Sequence, residues 1–251
     1  IIFFTDSDCV PNPDWVAQMV GGYTDAEVGA VGGSYDMLNP SSLLAYLIHE
    51  EIVQRHLHMP LEVSFLGSYN VSFRRAALES VGGFDESYRM ASAEDNDLCY
   101  RLQQAGWRLL FDRTNRVGHF HPTRLWGYYR RQMWHGYWRM KLYRSHPKMA
   151  GGDQYSSPLD FLQPPLALLC VISLPLAALR IVPWLFAAAF LGLLALQTPL
   201  TLAVLRRTGD LCCLALIPLL MGRSLARGIG MVMGILRFFV FDSLTRKPTH
   251  I

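Results

Sequence analysis

The chain has 251 residues and a formal net charge of +3, divided unevenly: residues 1–160 carry 15 Lys/Arg against 18 Asp/Glu, and residues 161–251 carry 8 against 2. A positive balance that comes from an apolar tail leaves no footprint for a nucleic-acid binder. The five cysteines (Cys9, Cys99, Cys170, Cys212, Cys213) have no C-x-x-C spacing, which argues against a zinc module or a disulfide framework and suits a reducing compartment.

The apolar run Ile1-Ile2-Phe3-Phe4 reads as a buried strand. Residue 1 already lies inside it, without a Met or signal peptide, so the chain reads as a fragment whose preceding βα units are missing. The strand leads into Thr5-Asp6-Ser7-Asp8. Two carboxylates at the end of a parallel strand can hold a divalent ion and, through it, phosphates; a solvated turn accounts for the same pattern. Asn12 then suits a helix N-cap and Pro13 the first helical position, with the helix running to Gly21-Gly22. Val28–Gly33 reads as a buried strand, Ser41 to about His58 as a helix, and Phe65–Phe73 as an alternating strand. A short helix follows over Arg74–Ser80, with a turn at Val81–Asp85. Leu98, Leu102 and Ala105 recur at helical spacing up to Gly106, and Trp107–Phe111 is a last strand. Alternating helices and strands imply an α/β sheet with helices on both faces.

Ala93-Glu94-Asp95-Asn96-Asp97 places three acids at the start of that last helix. Ser92 as cap and Asp95 three residues on, as in a capping box, explain part of this, and acids in a first turn suit the helix dipole. Three acids exceed what capping needs, and a carboxylate held there as an anion can serve as a general base.

Beyond Gln163 the composition changes. Pro164–Leu179 and Ile181–Leu205 are uncharged runs of 16 and 25 residues, separated by Arg180; counting from Phe161 lengthens the first to 19. They predict a membrane-spanning helical hairpin rather than a buried globular helix pair. Leu211–Gly222 is shorter and is followed by Arg223, Arg227 and Arg237, so it reads as a partly interfacial element. Seven basic residues from Arg206 to Lys247, against Arg180 alone in the hairpin turn, place the Arg206-Arg207 end and the α/β part on the cytoplasmic side of the cell membrane. The domains expected are therefore 1–150 and 161–251.

Taken together, F-F-T-D-S-D-C-V-P, G-S-Y-N-V-S-F-R-R-A-A-L-E-S-V-G-G-F-D-E, E-D-N-D-L-C-Y-R-L-Q-Q-A-G-W and V-G-H-F-H, in this order over residues 1–121, resemble the inverting family-2 glycosyltransferases of GT-A fold. The resemblance covers the second half of that catalytic domain; the nucleotide-binding first half is missing from it. It implies a divalent metal, Mn²⁺ or Mg²⁺, with Asp8 as direct ligand, Asp6 nearer the donor's ribose or phosphates, and His119 completing the site, with His121 a rival. It implies Asp95 as the base that deprotonates the acceptor, Glu94 and Asp97 as supporting acids, and Gly67, Ser68 and Asn70 beside the acceptor and leaving diphosphate. The partners it implies are a nucleotide-sugar donor, a lipid-linked or amphiphilic acceptor, and the membrane. Processive members carry a Q-x-x-R-W signature; Tyr129–Gly136 has Gln132 but no Arg-Trp pair, which points to single-sugar transfer. Trp134, Trp138 and Arg139 suit an amphipathic helix at the membrane surface, with Trp134 also a candidate sugar or diphosphate contact. Two other functions fit less of the sequence. A nucleotidyl- or phosphotransferase would want a Gly-rich phosphate loop or clustered lysines, and an inactive scaffold of the same fold would not need both acidic pairs.

Overall fold

The computed structural model describes residues 1–152, 154–156 and 158–242; Arg246 and Lys247 of the basic tail lie outside the described residues. The chain divides into two compact units, 1–124 with 152–156, and 125–151 with 157–251.

The first unit is a mixed sheet of β1 (Ile2–Thr5), β2 (Cys9–Pro11), β3 (Val28–Met37), β4 (Asn70–Phe73) and β5 (Arg108–His119), in the order β1-β4-β3-β5-β2. β3 and β5 are parallel and the remaining pairs antiparallel. The strand before the first acidic pair is thus antiparallel to its neighbour, contrary to the parallel placement expected. Alternation sends side chains to two cores. Ala30, Val71, Phe73, Leu109 and Phe111 face α3 (Arg75–Ser80) and α4 (Glu94–Gln104), meeting Ala77, Leu78, Leu98 and Leu102. On the other face Val28, Val31, Leu110 and Val117 meet Trp15 and Met19 of α1 (Trp15–Gly21). Helix α2 (Leu43–His56) starts at Ser42, whose hydroxyl accepts from the Ala45 amide at 3.4 Å.

Several local expectations are corrected. Helix α1 begins at Trp15, after Asp14, because Asn12 turns its amide to the Arg116 carbonyl instead of capping. The alternating run 65–73 is a strand only from Asn70; before it, the Leu66 amide and carbonyl both engage the Cys99 thiol, so that stretch leaves the sheet. Helix α4 is not capped by Ser92: Ala93 takes a left-handed φ of 71° ahead of it, with no side-chain cap. Strand β5 runs eight residues beyond Phe111, to His119. Its register against β3 shifts between Gly33 and Ser34, where a Cβ on Gly33 would lie 2.1 Å from the Asn115 carbonyl oxygen.

The second unit is helical: α5 (Leu125–Ser145), α6 (Gln163–Ala178), α7 (Pro183–Thr208) and α8 (Leu216–Ile235), the last continuing as a π turn over Leu236–Phe241. Helix α5, which composition alone places with the α/β part, belongs to this unit because its backbone lies directly on α8. A Cβ on Gly230 would fall 1.8 Å from the Met133 carbonyl oxygen, so only glycine permits this approach. Among the described residues, three segments are long and apolar enough to cross a membrane: Pro158–Ala178, Pro183–Thr208 and Leu211–Phe241. The third is longer than the partly interfacial element expected from its composition. Arg223 and Arg227 do not interrupt it, because Arg223 is buried within the unit and the Arg227 Nε donates to Gln132 Oε1 at 2.8 Å.

Candidate active site

The turn after β1 is drawn back on itself by the Cys9 amide, which donates to the Asp6 carbonyl at 3.0 Å. Short strand β2 then pairs Cys9 with His119 at the end of β5, and the Phe120 amide donates to the Asp8 carbonyl at 3.0 Å. This pairing brings distant parts of the chain together: His119 Nε2 stands 3.5 Å from Asp8 Oδ1. Asp8, Cys9 and His119 each offer a ligand atom within 4.8 Å of the others. A carboxylate and an imidazole are a donor set that fits a divalent cation. Sequence spacing does not mark Cys9 as a member; its pairing with His119 across β2 and β5 brings it in. Its thiol is pushed up to about 12 by burial and by the charges of Asp6 and Asp8, so at neutral pH it is protonated and contributes no charge. Asp6 is exposed and lies outside this group of three.

Tyr35 of β3 and Tyr69, just before β4, stack at 3.7 Å between ring centroids, and the Tyr69 hydroxyl donates to the Gly33 carbonyl at 3.0 Å. Burial raises both phenols well above their ordinary value, and Asp6 and Cys9 add to the effect on each; Asp95 adds to that on Tyr69. Both acidic clusters are therefore within electrostatic reach of one aromatic pair. Glu94 is raised above the usual carboxylate range, first by burial and also by Asp6. Its carboxylate accepts from the Ser92 amide, and Asp95 accepts from the Asn96 amide at 2.8 Å, in the first turn of α4. Helix N-terminal amides favour negative charge at that position.

The other anticipated residues divide by role. Asp97 is buried and paired with Arg101 at 2.8 Å, and Arg101 also donates to the Val81 carbonyl at 2.7 Å, which ties the preceding turn to the helix. Gly67 and Ser68 lie half-buried in the loop before β4. Asn70 is fully buried: its amide nitrogen donates to the Ser34 and Asn115 carbonyls at 3.0 and 3.2 Å, and its oxygen accepts from the Trp15 indole at 2.8 Å. Its geometry is that of a core clamp under the site. Trp134 lies on α5 in the second unit, where its ring meets Tyr137 at 5.4 Å. His121 is buried and does not join the group of three; it contacts His119 instead, Nδ1 to Nδ1 at 3.1 Å. Burial and the neighbouring His119 and His49 push it down to about 3, so it is neutral.

The sequence profile described as glycosyltransferase-like family 2 matches residues 1–137, which takes in all five strands and the first part of α5. The mixed sheet is therefore of the GT-A type that the motifs imply. The pre-mycofactocin glycosyltransferase of Mycobacterium tuberculosis, in two strains, is 32% identical over 154 residues, which are 58% of this chain and 32% of that protein. The chain thus spans about a third of the length of these relatives. A mannosyltransferase from Pyrobaculum calidifontis, solved in complex with GDP-Man and Mn²⁺, is 18% identical, with a TM-score of 0.48 over 92% of this chain and 61% of that one.

Proposed function

The chain belongs to the glycosyltransferase-like family 2, and on that premise we propose that it forms part of a membrane-anchored, metal-dependent inverting glycosyltransferase. In this reading it moves one sugar from a nucleotide-sugar donor to an acceptor hydroxyl. The observation that carries the reading is the contact of Asp8 with His119, whose ring packs on Tyr35 of the Tyr35–Tyr69 stack.

Asp8 and His119 would hold the divalent ion, Mn²⁺ or Mg²⁺, which when bound neutralises charge on the leaving diphosphate. Asp6, exposed beside them, reaches toward the ribose or phosphates. Asp95, in the first turn of α4, takes the proton of the acceptor hydroxyl as the hydroxyl oxygen attacks the anomeric carbon on the face opposite the departing diphosphate. Glu94 holds the start of α4 through the Ser92 amide, and Asp97 ties the turn at Val81 to the same helix through Arg101. Gly67 and Ser68 border the acceptor. The absence of an Arg-Trp pair after Gln132 favours single-sugar transfer, and the three apolar segments favour a lipid-linked or amphiphilic acceptor.

The test is metal removal from the full-length protein assayed against a panel of nucleotide-sugars. Transfer should fall to background in EDTA and return with Mn²⁺ or Mg²⁺. Transfer undiminished by EDTA after dialysis would refute metal dependence.

Topology is tested separately. The catalytic unit and the Arg206-Arg207 end share the cytoplasmic face in this reading, because arginines next to a span weigh most in orientation. Cysteines placed at the exposed Ile181 and Leu211, with the native cysteines replaced, are read with a membrane-impermeant thiol reagent in intact cells. Position 181 should label and 211 should not; the reverse pattern would invert the topology.

A further inference from the structure

His119 is one end of a row of three imidazoles. Its Nδ1 lies 3.1 Å from His121 Nδ1, and His121 Nε2 lies 3.2 Å from His49 Nδ1 on α2. Asn39 brackets the middle residue, donating to the His121 carbonyl at 2.8 Å and accepting from its amide at 3.0 Å. The Tyr35 ring packs on both His119 and His121, at 4.7 and 5.7 Å. We propose that His121 and His49 are positioning residues that set the tautomer of His119, so that its Nε2 lone pair faces Asp8 and a divalent cation held with it. The proposal rests on the metal reading above.

Counting protons separates the possible patterns. A nitrogen–nitrogen contact of this length holds one proton, donated from one side and accepted on the other. Rings that each carry a single N–H bring three protons, of which two occupy the two contacts, leaving the third at one end of the row. If it sits on His119 Nε2, that nitrogen can only donate, toward Asp8 Oδ1 at 3.5 Å. If it sits on His49 Nε2, every contact reverses: His119 Nδ1–H donates to His121, His121 Nε2–H donates to His49, and His119 Nε2 is a bare lone pair. A cation ligated by both Asp8 and His119 is compatible only with the second pattern. Ligating histidines are typically oriented by an acceptor on their other nitrogen, and loss of such an acceptor weakens metal binding by about 10–100-fold. A ring of similar size would satisfy the packing on Tyr35, whereas orienting His119 requires a hydrogen-bond acceptor facing its Nδ1.

The test measures the Mn²⁺ dissociation constant of the full-length protein by electron paramagnetic resonance of free Mn²⁺. His121→Leu should weaken binding about 10–100-fold, and His49→Phe should shift it in the same direction. His121→Asn, whose side-chain oxygen can accept the His119 N–H, should recover most of the loss. If the parent protein binds no Mn²⁺, or if Asp8→Asn and His119→Ala leave binding unchanged, the metal reading fails and this inference with it. If those two variants lose binding while His121→Leu keeps the parent affinity, the row is overturned and the metal reading stands. Equal loss in His121→Leu and His121→Asn also overturns it, in favour of packing alone. Should His121→Leu fail to fold, unchanged affinity in His49→Phe overturns the row in the same way.

Discussion

Asp95→Asn is expected to lower the rate of sugar transfer by about 10²–10⁴-fold, the usual contribution of a positioned general base, while donor affinity stays within about twofold. The substitution keeps the shape of the side chain and its hydrogen bond from the Asn96 amide, so the first turn of α4 should persist. What it removes is the negative charge and the basic oxygen. The measurement is single-turnover transfer alongside donor binding in the same buffer, since the two readings of this acidic cluster differ there. If the acids only cap the helix, Asp95→Asn changes thermal stability and leaves the transfer rate alone. If Asp95 belongs with the metal, donor affinity falls with the rate. Either outcome would remove it from the role of base. Glu94 is the natural control: its carboxylate already accepts from the Ser92 amide, which fixes its position, and burial raises its pKa.

Much of this arrangement is legible in the sequence, for identifiable reasons. The acidic pairs stand in short local motifs, and the motif order points to the family over residues 1–121. The alternation of Ala30 with Val31 and of Leu109 with Leu110 between two faces follows from strand periodicity, and the apolar segments from length and composition alone. The failures are non-local. Strand β5 reads as ending at Phe111 because Asp112, Arg113 and Arg116 break the apolar pattern; they sit where the ladder against β3 bulges, and the strand resumes as Val117–His119. That resumption is what carries His119 to Asp8. Nothing in sequence spacing announces that Cys9 pairs with His119, or that His49, 72 residues before His121, completes the imidazole row. The run Phe65–Phe73 alternates like a strand, yet Cys99 of α4 holds Leu66 away from the sheet, a tertiary contact that local propensity cannot register. Arg223 and Arg227 look like helix interruptions because their surroundings within the helical unit are invisible from the sequence.

Asp8→Asn is the second large effect: metal-stimulated transfer should fall by about 10³-fold or more, since a divalent ion at a leaving diphosphate supplies several kcal/mol of charge stabilisation and each 1.36 kcal/mol is tenfold in rate. Asparagine retains the length of the side chain and leaves the Asp8 backbone carbonyl bonded to the Phe120 amide, so the β2–β5 junction is not disturbed. The anionic ligand is what disappears. His119 remains, but it ligates as the neutral imidazole and so does not replace the lost charge. Asp6→Asn separates the two acids, because Asp6 lies outside the group formed by Asp8, Cys9 and His119. It should weaken donor binding and leave the Mn²⁺ affinity close to the parent's, whereas Asp8→Asn should lose both. Titrating Mn²⁺ and a nucleotide-sugar separately into each variant distinguishes them. Exchanged behaviour, with Asp6→Asn losing the metal and Asp8→Asn retaining it, would transfer the ligand role to Asp6 and leave the Asp8–His119 contact as a structural pair.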